Sequence, residues 1–242
     1  MMTRWFRLGP WWILTALMVL PLFRLLVTMK IRNGSHLPGH GPFIIAPNHY
    51  SEIDPVVMGV AVWRLGRTPR FLAKASLFKV PFLGFYLRRT GQIPVERQAG
   101  SLTTPLDAAH RLIESGQGVI VYPEGTLTRE PDLWPMKGKT GAVRMALEAG
   151  IPLYPAAHWG TQNLMPRYGK GISVFPRPRI EVLVGQPLDL SMFDGRPVTR
   201  ELLAEATDRL MLAIQDLSAE LRGEKAPAEI YAPQSIEPGR KR

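Results

Sequence analysis

Residues 44–55 read IIAPNHYSEIDP. A short apolar run suited to a buried strand leads into Asn48-His49. Asp54-Pro55 then has the form of a helix start: a capping side chain followed by proline where its missing N–H is harmless. Strand, turn and helix follow one another within a dozen residues, the unit of an α/β fold. The chain has five histidines, and one stands where this strand ends. Two readings are open. Asp54 is an ordinary helix cap, or the chain folds it back beneath His49. In the second case the carboxylate fixes the ring tautomer and stabilises the imidazolium that forms when the ring takes a proton. Ser51 lies between the two, but no G-x-S-x-G elbow surrounds it.

Outward from this stretch the alternation continues. A helix is predicted from Pro55 to Trp63. RFLAKASLF and GQIPVER each contain a strand, and Thr104-Pro105 opens a helix ended by Gly116 and Gly118. VIVYPEG is another strand running into a turn. A helix over 139–149 ends at Gly150, and IPLYPAAHW follows as a strand. ISVFPRPRIEVLVG reads as late strands whose prolines suggest sheet edges. The last helix, 199–222, carries an apolar stripe through Leu203, Ala206, Leu210, Ala213, Leu217 and Leu221 and is closed by Gly223. The expected fold is α/β, a largely parallel sheet flanked by helices. Such sheets carry their sites beyond the carboxyl ends of the strands, where His49 and Glu124 both fall.

The organisation is an N-terminal apolar and basic segment (1–33), an α/β domain (34–223) and a loose Pro/Ala-rich tail (224–242). Residues 8–23 are uncharged and mostly apolar, with Arg4 and Arg7 before them and Arg24, Lys30 and Arg32 after. The run is short of the roughly 20 residues a span needs, and Pro21 interrupts it. It reads as a helix pair broken near Pro10 or Pro21, lying in a membrane interface rather than crossing it. A tilted span and a signal peptide are the alternatives. PLFRLLVTMKIR offers no good cleavage site for the latter.

The absence of cysteine excludes disulfides, thiolate metal sites and cysteine acyl-enzymes. Of the net charge of +10, residues 1–199 carry +11 and residues 200–242 carry −1, and no acidic residue precedes Glu52. Such a surface attracts anions such as lipid phosphates, coenzyme A, an acidic carrier protein or nucleic acid, and charge alone does not choose among them. No nucleic-acid-binding pattern accompanies it. His36 and His40 flank Pro38-Gly39, a loop and not a metal-binding helix face.

Two further motifs carry chemistry. In YPEGTLTRE (122–130) a strand ends in a glycine turn where Glu124 and Thr126 can bond hydroxyls. It is also an unremarkable turn. In GQIPVER (91–97), Arg97 leaves a strand and has the planar fork suited to phosphate, or is a solvated surface charge.

Taken in order, N-H-x-x-x-x-D, G-x-I-P-V-E-R, P-E-G-T and IPLYPAA resemble the glycerolipid acyltransferases, and among them the 1-acylglycerol-3-phosphate acyltransferases that make phosphatidic acid. Asn48, His49 and Asp54 match the first block. Gly91 through Arg97 match the second, with Glu96 where aspartate is frequent. Pro123, Glu124, Gly125 and Thr126 match the third, and Ile151, Pro152 and Pro155 the fourth. The likeness departs at Leu127, where the family commonly carries arginine, so Arg129, Lys137 or Lys139 would substitute.

The resemblance implies an enzyme without metal or cofactor. His49 would deprotonate the free hydroxyl of lysophosphatidic acid, and Asp54 would orient His49. The alkoxide would attack the thioester of acyl-CoA or acyl-carrier protein, the co-substrate. Arg97, with Lys74, Arg129 and Lys139, would hold the acceptor phosphate. Glu124 and Thr126 would position the glycerol, and Asn48 and Gly125 count among the substrate contacts. Backbone amides near 48–54 or Gly125 would hold the oxyanion. Part of SLFKVPFLGFYL would line an acyl groove. The partners are then lysophosphatidic acid, an acyl thioester and an anionic membrane surface on the cytoplasmic face, with no nucleic acid. Alternatives are another acceptor (a lysophospholipid, glycerol 3-phosphate or a glycolipid), a lipid hydrolase, or an anionic-surface binding module.

Overall fold

The computed structural model describes residues 10–95 and 105–233. It opens with helix α1 (Pro10–Leu26). The predicted break does not occur: over the described residues this is one continuous helix with Pro21 inside it. Pro21 and Leu17 are both exposed, so the carbonyl that proline leaves unpaired lies on the outward side. Trp12, Ala16 and Phe23 face inward.

Thr28–Arg32, which the sequence places in the leading segment, is strand β1 of the main sheet. The other strands are β2 (Phe43–Pro47), β3 (Leu72–Lys74), β4 (Ile93–Val95), β5 (Gly118–Ile120), β6 (Leu153–Trp159) and β7 (Arg179–Val184). The sheet runs β1-β7-β6-β2-β5. Only β6 and β7 are antiparallel. Beyond β5, the parallel bridge Phe71–Ile120 leads to the parallel β3-β4 pair. The sheet thus curls on with its strands still aligned. The late-strand region holds one strand, β7, and it is internal; the prolines of 172–178 precede it instead of marking an edge.

Helices cover both faces. β2 is buried throughout, so its alternation sends Ile44 and Ala46 to one core and Phe43 and Ile45 to the other. The first core is closed by α4 (Pro105–Ser115), α5 (Gly141–Ala149) and α7 (Arg200–Arg222), the second by α1 and α2 (Asp54–Arg64). Short helices α3 (Leu83–Arg89) and α6 (Thr161–Leu164) lie in connections.

α7 begins as predicted, with Thr199 Oγ1 accepting the Leu202 amide at 3.2 Å, and it ends at a left-handed Gly223. Its buried stripe passes through Leu203, Leu210, Ile214 and Ser218; Ala213, Leu217 and Leu221 are only partly buried. Of the loose tail expected over 224–242, residues 234–242 lie outside the described residues, and residues 224–233 make contacts with the domain. The Lys137 amide donates to Tyr231 O at 2.8 Å, and Gln215 donates to Pro227 O at 3.0 Å. The cap expected at Thr104 lies outside the described residues.

Candidate active site

The parallel strands β2, β5, β3 and β4 deliver their carboxyl ends to one edge. His49 follows β2, the Pro123–Thr126 turn follows β5, and Lys74 closes β3 opposite Val95. Arg97 belongs just beyond β4 but lies outside the described residues.

His49 and Asp54 meet. The His49 Nδ1 lies 3.0 Å from Asp54 Oδ2. An ionised carboxylate only accepts, so Nδ1 carries the hydrogen and Nε2 keeps its lone pair. The imidazole side chain is 15% exposed and the carboxylate fully buried, which places the free nitrogen within reach of a ligand.

Asp54 is not acting as a helix cap. A capping side chain accepts forward, from the second or third amide of its helix. Asp54 Oδ2 reaches backward and takes the amides of Tyr50 and Ser51, each at 2.8 Å. Burial pushes its carboxyl up. His158 nearby and the hydrogen bonds from His49 and Ser51 outweigh this and hold it below its ordinary value. Ser51 Oγ donates to Met165 O at 2.7 Å and is spent on structure.

The main chain of His49 is clamped from both sides. Its amide donates to Glu124 Oε1 at 2.8 Å, and its carbonyl accepts from the Thr128 amide at 2.6 Å. Tyr122 stacks on the imidazole with ring centroids 4.1 Å apart. Glu124 is 1% exposed, and its Oε2 takes the Met136 amide at 3.1 Å. Both oxygens are therefore occupied by backbone, and the side chain expected to position a glycerol hydroxyl instead holds the main chain of His49.

Burial pushes the Glu124 carboxyl up to about 8, against the amide bonds from Met136 and His49 that favour its charged form. Between the ordinary value of 4.5 and about 8, the folded protein thus holds this proton more tightly than the unfolded chain. Stability from Glu124 falls as pH rises through that window and is level above it. We expect wild type to lose on the order of a few kcal/mol more than Glu124→Gln between those limits, read from denaturant melts across pH. Parallel curves for the two proteins would refute it.

The other predicted residues divide. Gly125, at φ +70°, is required: a Cβ there would stand 2.9 Å from Lys139 Nζ, so Lys139 lies over the turn with its charge beside it. Thr126 and Arg129 are exposed, as is Lys74. Leu127 is buried. Asn48 is 2% exposed and pairs with the His158 backbone, Nδ2 to O at 3.1 Å and Oδ1 from N at 2.9 Å; it ties β2 to β6 and does not face a substrate. Four of the amides expected to hold an oxyanion are engaged: His49 with Glu124, Tyr50 and Ser51 with Asp54, and Gly125 with Tyr122 O.

Sequence reading missed His158. Fully buried on β6, its Nε2 lies 3.0 Å from Asn48 O and 3.7 Å from Asp54 Oδ2. The carbonyl only accepts, so Nε2 bears the hydrogen, and Asp54 sits between two imidazoles. The available signal was a histidine in a strand otherwise apolar: a polar ring there needs a partner.

A family model described as Acyltransferase matches residues 28–159. The 1-acyl-sn-glycerol-3-phosphate acyltransferase of Bacillus subtilis (strain 168) is 31% identical over 196 residues, 80% of this chain and 89% of that one. The Haemophilus influenzae enzyme of the same name is 28% identical over 205 residues, 83% of this chain and 79% of that one. The fold is similar to the crystal structure of the 1-acyl-sn-glycerophosphate (LPA) acyltransferase PlsC from Thermotoga maritima. The TM-score is 0.60 at 22% identity, over 86% of this chain and 78% of that one. By the span of the family model and the coverage of the Bacillus relative, this chain belongs to the acyltransferase family.

Proposed function

We propose that the protein is a 1-acylglycerol-3-phosphate O-acyltransferase drawing acyl groups from acyl-CoA or acyl-carrier protein. The observation that carries this is the His49–Asp54 pair, its carboxylate buried and its outer nitrogen open at the strand ends. His49 Nε2 takes the proton of the acceptor's free hydroxyl while Asp54 steadies the imidazolium. The oxygen attacks the thioester carbonyl. The tetrahedral intermediate then expels the thiolate, which recovers the proton from His49. A thioester is already activated, so these residues need form no covalent intermediate. Lys139 beside Gly125, with Arg129, Lys74 and Arg97, supplies positive charge for the acceptor phosphate, and Thr126 is the exposed hydroxyl of the turn.

An apolar cavity of about 290 Å³ is lined by Pro55 and Val56, which follow Asp54 in the chain, together with Gly59, Trp12, Tyr86 and Leu87. It suits the acyl chain, with Tyr86 and Leu87 contributed by the segment expected to do so. No described helix is long and apolar enough to cross a membrane. α1 nonetheless exposes Leu14, Leu17, Met18, Leu22 and Leu25. This face fits a helix lying in the cytoplasmic interface of a bilayer.

The test is product analysis with purified protein, using acyl-CoA or acyl-carrier protein with and without lysophosphatidate. Phosphatidate and free thiol are expected only when acceptor is present. Free fatty acid released at the same rate without acceptor would make the protein a hydrolase.

A further inference from the structure

A second cleft, of about 490 Å³, lies between the C-terminal ends of α1 and α2 and strand β1. Arg24, Arg64 and Arg177 line it, together with Leu20, Phe23 and Val60. Among the described residues, no carboxylate forms an ion pair with any of these guanidiniums. Two are fixed by carbonyls. Arg64 Nη1 donates to Met29 O at 2.9 Å, and Arg177 Nη2 donates to Arg24 O and, at 3.2 Å, to Val27 O. Each guanidinium has five N–H donors, so most remain for a ligand. This is not the acceptor site: Arg64 and Asp54 stand at opposite ends of an 11-residue helix, about 15 Å apart.

The segment that supplies Arg177 adds a second feature. Residues 165–180 contain Arg167, Lys170, Arg177 and Arg179 and no acidic residue. They expose Tyr168, Ile172, Val174 and Phe175, the last at 89%. The root of this segment is bonded to the chain that follows the Pro123–Thr126 turn, since Arg167 Nη1 donates to Thr128 O at 2.9 Å and to Glu130 O at 2.6 Å. Its far end is bonded to α1 through Arg24 O, and Leu22 and Leu25 of that helix are also exposed. Large apolar side chains set among cations without acids suit an anionic bilayer surface and are ill placed in water.

We infer that the three-arginine cleft binds the phosphate of an anionic phospholipid, with residues 165–178 and the end of α1 lying against the same leaflet. This rests on the reading that the enzyme works at a bilayer. The lipid is a docking ligand, distinct from the acceptor.

Free phosphate shares the headgroup chemistry, so the experiment carries both. Binding to vesicles of phosphatidylcholine, with and without phosphatidylglycerol, is measured by co-sedimentation for wild type and for Arg24→Gln/Arg64→Gln/Arg177→Gln. Wild type is expected to prefer the anionic vesicles by roughly 10²-fold, and the triple variant to lose most of that preference. The Arg24 side chain makes no hydrogen bond or ion pair among the described residues. Arg24→Glu therefore keeps the test open if the triple variant does not fold, and should cut anionic binding roughly 10-fold. An undiminished preference in these variants overturns the inference. So does inorganic phosphate that raises the melting temperature of wild type but not of the variant while neither prefers anionic vesicles; that result marks a free-anion site. Turnover on detergent-dispersed lysophosphatidate is read alongside and should be unchanged in the variants. Absent phosphatidate in wild type sinks the acceptor assignment, whereas retained vesicle preference in the variants sinks the cleft.

Discussion

His49→Ala is expected to lower kcat by roughly 10²- to 10⁴-fold, the usual contribution of a positioned general base. The fold should survive. The turn is held through the His49 amide and carbonyl, by Glu124 and Thr128, and alanine keeps both. What disappears is the ring stacked on Tyr122 and with it the proton acceptor, Nε2, that the Asp54 bond to Nδ1 leaves free. The acceptor's KM should change little, because the base contributes mainly once its proton begins to move. Steady-state kinetics, paired with circular dichroism to certify folding, check this. Added imidazole should restore part of the rate. Undiminished turnover in a folded variant would remove His49 from the chemistry.

Asp54→Asn is expected to cost roughly 10³- to 10⁴-fold in kcat, as when an orienting carboxylate is neutralised in other His–Asp systems. The geometry favours a clean substitution. Oδ2 takes all three donors, from His49, Tyr50 and Ser51, whereas Oδ1 is buried without a partner. An asparagine can keep its oxygen in the first place and its amide nitrogen in the second. Tyr50 and Ser51 then remain paired while the charge that steadies the imidazolium is gone. Asp54→Ala strips three donors at once and should in addition destabilise the fold by a few kcal/mol. The two variants thus separate electrostatics from architecture. A rate within about threefold of wild type for Asp54→Asn would leave the carboxylate a merely structural role.

The pair was legible because it is local: five residues, a strand end and a proline are enough to suggest it. The parallel sheet was legible for the same reason, through strand and helix signals repeated in turn. What escaped depends on distant approach. His158 reaches Asp54 because β6 pairs with β2 across more than a hundred residues, and nothing in HYSEID announces that. Asn48 and Glu124 were taken for substrate contacts because a polar side chain at a strand end looks available. Only the packed structure shows each committed to backbone amides or carbonyls. β1 was hidden because it follows α1 almost directly and finds its partner, β7, some 150 residues later. Pro21 misled because a proline's effect depends on whether the carbonyl it abandons faces protein or solvent.

The apolar cavity lined by Pro55 and Val56 has two indoles in its wall. Trp12 and Trp63 stack with centroids 6.0 Å apart, and the Trp12 Nε1 is anchored to Thr90 O at 3.0 Å. Their emission depends on the polarity around them. Filling that space with hydrocarbon is therefore visible as a change in intrinsic fluorescence, an optical gauge that needs no label.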